Sequence, residues 1–192
     1  MKKQRFPLIP VLGITLLLLG LGLFVVFQIQ LHTGTRKSLE TADKLEKILP
    51  ERTQGAAGFY PDVNMPALEI DGMDYVAMLE IPTFGLQLPV AAAWNGDQLA
   101  QSPARFLGSA YDNTLVIGGA DHEGQFAFCG EIDHGAAVIV TDMTGAQFTY
   151  TVARVDRAGH APAQWLTEGD WDLTLFCHDV YAMEYIAVRC VE

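Results

Sequence analysis

Residues 171–190 read WDLTLFCHDVYAMEYIAVRC. Asp172–His178 and Tyr185–Val191 are short runs rich in β-branched, aromatic and aliphatic residues. The six residues Asp179–Glu184 join them, so the segment reads as two strands turning back on each other. Side chains alternate along a strand. Leu173, Leu175 and Cys177 therefore share one face, and Asp172, Thr174, Phe176 and His178 share the other. Ile186, Val188 and Cys190 likewise fall together and read as core. His178 and Tyr185 flank the connection, which makes them expected cross-strand neighbours.

Upstream the same kind of signal recurs. Tyr75–Ile81, Leu86–Ala91, Thr114–Ile117, Ala136–Thr141 and Gln147–Val155 are short β-type runs, each bounded by Gly, Pro, Asn or Asp. Asp142–Gly145 (DMTG) is the turn expected between two of them. Helical stretches are few and short, at Asp97–Gln101 and Gln125–Ile132. So many short strands point to a mostly β fold, a closed or nearly closed barrel with no exposed edges.

The N-terminus is of another kind. Lys2, Lys3 and Arg5 are followed by a run, Phe6 to His32, with no Asp, Glu, Lys or Arg. About 20 apolar residues in a helix span the ~30 Å hydrocarbon layer of a membrane. The preceding cations place the N-terminus in the cytoplasm and everything after the span outside. Residues 35–49 (TRKSLETADKLEKIL) read as a short amphipathic helix with Leu39, Ala42, Leu45 and Leu49 on one face, stopped by Pro50. A solvated stalk is the expectation there, and residues 51–67 read as linker. The expected layout is a cytoplasmic tip and transmembrane signal-anchor over 1–32, a helical stalk and linker over 33–67, and a barrel domain over 68–192.

The chain has a formal charge of −11, and residues 53–192 hold nineteen acids against four arginines, a net of −15. Such a domain is a poor partner for nucleic acid or an anionic lipid surface. Cys129, Cys177 and Cys190 cannot all pair within one chain. One disulfide with a free thiol, or three free thiols, are both open, and the spacing matches no zinc pattern.

A signal-anchor, a stalk and a barrel of this size resemble the layout of the sortases, the cell-surface transpeptidases of Gram-positive bacteria. The segments agree: YVAMLEIPTFGLQLPV (75–90) looks like the opening pair of sortase strands, with Ile81, Pro82, Gly85, Pro89 and Val90 in its signature. GSAYDNTLVIGGAD (108–121) looks like the approach to the sortase histidine, FTYTVARV (148–155) like the strand after the central hairpin, and 171–190 like the final hairpin.

The resemblance implies a cysteine that attacks a sorting-signal carbonyl to form a thioacyl enzyme, a histidine that moves protons, and an arginine that steadies the oxyanion. Laid on the family pattern without gaps, the histidine position is Ala120, the cysteine position His178 and the arginine position Tyr185. Cys177 and His122 lie one and two residues off register and are the candidates for rescued chemistry. Alternation sends Cys177 to the barrel interior if position 178 faces the cleft. His122 lies in a Gly-rich loop, while His134 and His160 sit in polar loop surroundings. A metal site from Asp121, His122 and His178 has nothing to fix its geometry, so no metal and no cofactor are expected. The chain thus reads as a membrane-anchored, catalytically degenerate sortase-type protein that binds sorting-signal-like peptides or a partner. The alternative is an active cysteine transpeptidase or hydrolase using Cys177 and His122.

Overall fold

The structure, a computed structural model, describes residues 8–58 and 60–192. The expected cytoplasmic tip with Lys2, Lys3 and Arg5 lies outside the described residues, as do the side chains of residues 8–11, 27–35 and 97. The chain opens on helix α1 (Leu8–Ile48). Leu12, Ile14, Leu16–Leu19, Leu21, Leu23 and Phe24–Val26 stand exposed along it. Over the described residues alone, no helix is long and apolar enough to cross a membrane.

Ten strands follow: β1 (Thr53–Gln54), β2 (Leu68–Ile70), β3 (Met73–Ile81), β4 (Leu86–Ala91), β5 (Ala104–Leu107), β6 (Leu115–Gly118), β7 (Ala137–Asp142), β8 (Ala146–Ala158), β9 (Leu173–Asp179) and β10 (Glu184–Val191). Short helices α2 (Gly96–Leu99) and α3 (Ala163–Thr167) and a 3-10 turn at Ala127–Gly130 lie between them. Strand order runs β8-β10-β9-β6-β5-β4-β3, and β7 pairs with both β3 and β8, which closes the sheet. The expected closed barrel is thus present. β1 and β2 are additions, β1 parallel to β8 and β2 antiparallel to β3.

The inner faces of the strands make one core, including Val76, Leu79, Val90, Ile117, Phe148, Leu175 and Val188. At the DMTG turn, Asp142 is fully buried, and its Oδ1 accepts from the backbone N–H groups of Thr144 and Ala146. Its Oδ2 accepts from the Tyr111 hydroxyl, tying the β7–β8 hairpin to the loop before β6.

Two expectations need correction. The last turns of α1 are not a solvated stalk: Ser38, Thr41, Ala42 and Leu45 are buried, the last two against Ile70, Tyr75, Met78, Ala91 and Ala104. Residues 51–67 are not wholly free linker either, since Thr53 and Gln54 pair with β8 and Met65 enters the core. The sequence also hid β5, whose four residues follow Pro103 and hold as a strand through pairing with β6.

Candidate functional site

The positions singled out by sequence converge where β6 and β9 end and β10 begins. β6 runs parallel to β9, with Gly118 beside Phe176, and Gly119 N–H donates to the Phe176 carbonyl at 3.0 Å. The chain then leaves the sheet in a loop that carries Ala120, Asp121 and His122. Gln125, 1% exposed, clamps this loop. Its Oε1 accepts from Ala120 N–H at 3.0 Å and its Nε2 donates to the Leu99 carbonyl at 3.1 Å. His122 Nδ1 lies 2.8 Å from the Glu123 carbonyl, which can only accept. Nδ1 is therefore the donor in this contact.

β9 and β10 bring His178 directly opposite Tyr185, and their rings lie with centroids 4.5 Å apart and planes inclined by 30°. Asp121 lies within electrostatic reach of Asp179, His122 and His178. Burial raises its carboxyl above the usual range, Asp179 raises it further, and the two imidazoles offset part of this. The cleft thus gathers Asp121, His122, His178 and Tyr185, with Ala120 half-buried beside them.

Cys177 is elsewhere. It faces inward with Leu175 and Ile186 and is 1% exposed. Its thiol partner is Cys129 on the 3-10 turn, whose own thiol is pushed well above its ordinary value by burial and by the Cys177 sulfur. Burial alone pushes Cys190 up to about 12. The three cysteines are free thiols of the interior. Chemically the cleft offers imidazole bases, a carboxyl group and a phenol, with no thiol facing it. Among the described residues no group of three or more His, Cys, Asp or Glu side chains is arranged to hold a metal ion.

Two parts of the site escaped the sequence reading. On the outer face Trp94, Phe106 and Phe176 form an aromatic cluster, with centroid separations of 5.2–5.5 Å. Gly118 is its seat: a Cβ there would lie 2.3 Å from the Trp94 ring and 2.6 Å from the Phe176 ring. The only signal was the glycine pair in IGGA, which says that something approaches closely without saying what. The second part is Arg189, 2% exposed on the same face. Its Nη1 donates to the Leu166 carbonyl at 2.7 Å and its Nη2 to the Trp165 carbonyl at 2.6 Å, while Nε meets Asp156 Oδ2 at 3.2 Å. The guanidinium also lies 5.0 Å from the Trp165 ring centroid. It pins α3 over the outer face as one wall of a groove whose floor is β6 and β9.

Known structures share this architecture. Sortase A from Corynebacterium diphtheriae superposes with a TM-score of 0.55 at 14% identity, covering 84% of this chain and 84% of that one. Sortase C1 from Streptococcus agalactiae gives 0.54 at 17% identity, over 65% of this chain and 71% of that one. Sortase A from Listeria monocytogenes gives 0.51 at 14% identity, over 62% and 88%. At these identities the likeness is one of fold. No curated protein matches the sequence. The sortase domain family model matches residues 79–189, more than half the chain, from β3 through Arg189 near the end of β10, and the chain belongs to the sortase family.

Proposed function

We propose that this chain is a membrane-anchored sortase-family protein that binds sorting-signal-like peptides, or a partner presenting one, at the outer face of the cell membrane without cleaving them. The observation behind it is the pairing where β9 ends and β10 begins. The residue opposite Tyr185 on the cleft side is His178, while the neighbouring thiol of Cys177 faces the core against Cys129. Thioacyl chemistry needs a thiolate within reach of the peptide carbonyl. A thiol buried in the core is out of reach of a peptide bound outside it. Tyr185 offers one neutral donor where a guanidinium would offer a charged fork. What this arrangement keeps is a groove between α3 and the floor of β6 and β9.

The anchor is proposed from the sequence. The uncharged run from Phe6 to His32 suffices for one crossing, and Lys2, Lys3 and Arg5 set its direction. The domain then stands where exported proteins emerge. The test is to incubate the detergent-solubilised protein with a panel of sorting-signal peptides and an amine acceptor, then read intact mass. Peptide binding with no cleavage and no adduct is expected. A thioacyl adduct on Cys177, lost in Cys177→Ala, would establish the active transpeptidase or hydrolase instead.

A further inference from the structure

Past the aromatic cluster the outer face opens again at the N-terminal ends of β6 and β9. A cavity of about 530 Å³ lies there, between β5, β6, α3 and the segment leading into β9. Its floor is apolar, built from Leu107, Val116 and Leu166. Its rim carries two carboxylates, Asp170 and Asp172, beside the Asn113 amide and the Trp171 indole. No Lys, Arg or His lines it. Asn113 is held in the left-handed region at φ 57°, and its Oδ1 is buried with no hydrogen-bond donor among the described residues. Asp172 receives the Glu192 N–H at 2.7 Å through Oδ2. An apolar floor beside the carboxylates of Asp170 and Asp172 suits a side chain with a hydrocarbon stem and a cationic head, which buries the one and points the other at the rim.

We propose that this cavity receives the side chain of a lysine or arginine belonging to a peptide bound along the outer face; this rests on the peptide-binding function proposed above. Thr174 lines the cavity and His178 marks the cleft, four residues apart on β9. At about 3.3 Å per residue this is roughly 13 Å. The cation therefore stands about four residues along an extended peptide from the part that meets His178 and Tyr185. The net charge of −15 over residues 53–192 draws such a ligand in.

The test uses the full-length protein in detergent micelles with two probes, Nα-acetyl-lysine methylamide and its uncharged norleucine analogue. Binding is followed by NMR at the Trp171 indole, which lines the cavity, and at the Asn113 and Asp170 amides. The lysine probe should shift all three saturably and bind at least about tenfold tighter than norleucine. Asp170→Asn, a substitution at an exposed residue, should erase most of that preference. Equal binding of the two probes, shifts confined to other surfaces, or an unchanged preference in Asp170→Asn would each overturn the cation site. A third arm separates this failure from that of the function. If the lysine probe saturates the cavity while sorting-signal decapeptides shift neither Trp171 nor His178, the peptide reading falls and the cation site stands. If decapeptides shift His178 and are indifferent to lysine, the peptide reading stands and the cation site falls.

Discussion

His178 and Tyr185 stand directly opposite each other on β9 and β10, ring centroids 4.5 Å apart and planes inclined by 30°, at the mouth of the groove. Neither ring needs a charge to hold this contact, so the pair is compatible with a cleft that binds without reacting. The backbone places a side chain at 178 toward the cleft whatever that side chain is. Ala120→His, His178→Cys and Tyr185→Arg combined should therefore produce a native-state thiol that iodoacetamide labels within minutes. A folded triple variant whose introduced thiol stays unlabelled would contradict the assignment of position 178 to the cleft.

Cys177 should behave in the opposite way. At 1% exposure, with Cys129 as its thiol partner, it should resist alkylation until the protein is denatured. Cys177→Ala should leave peptide binding intact and cost about 1–2 kcal/mol through the space it opens in the core. Mass spectrometry after timed labelling, with urea unfolding of the variant, checks both. Rapid native labelling of Cys177 would argue for a thiol reaching the cleft.

The inner and outer faces of β9 and β10 were legible because alternation is local. Leu173, Leu175 and Cys177 do face the core, while Thr174, Phe176 and His178 do not. The docking of α1 was not legible. Its buried face is Ser38, Thr41, Ala42 and Leu45, a helical i, i+3, i+4, i+7 stripe in which two of the four positions are polar. Leu39, which hydrophobicity alone put on that face, is 60% exposed. Trp94 escaped for another reason. Its place over Gly118 depends on contacts between segments distant in sequence, and no periodicity records those.

That docked helix has a measurable consequence. Leu45 is fully buried against a cluster that includes Tyr75, Met78 and Ala91. Leu45→Ala should destabilise the domain by about 2–4 kcal/mol. Leu39→Ala, on the exposed side, should change little. Equal and negligible effects at both positions, read by chemical denaturation, would restore the free stalk.

Asp121 gives the cleft a pH signature. Burial and the neighbouring Asp179 make its folded carboxyl hold a proton to higher pH than in the unfolded chain. The folded state then binds more protons than the unfolded one, so stability falls as pH rises through the carboxylate range. Below about pH 4 both states are protonated and the penalty vanishes. Asp121→Asn should melt higher than the parent at pH 7, by about a degree given the solvent screening at the cleft, and the gap should close on acidification. A gap that is constant, or that widens toward low pH, would rule this account out.

Arg189 joins stability to the groove. One side chain holds the Trp165 and Leu166 carbonyls of α3, Thr174 of β9 and Asp156 of β8. Its removal leaves the Trp165 and Leu166 carbonyls without their donor, while Asp156 keeps Arg154, so Arg189→Ala should cost about 2–4 kcal/mol. Lysine keeps the charge but not the planar fork, and Arg189→Lys should recover only a minor part. Leu166 and Thr167 line the cavity beneath α3, so both variants should also weaken binding there under conditions where the barrel is still folded. Urea unfolding beside the lysine-probe titration tests this. An Arg189→Lys protein with parental stability and parental binding would show that α3 is held by its apolar contacts alone.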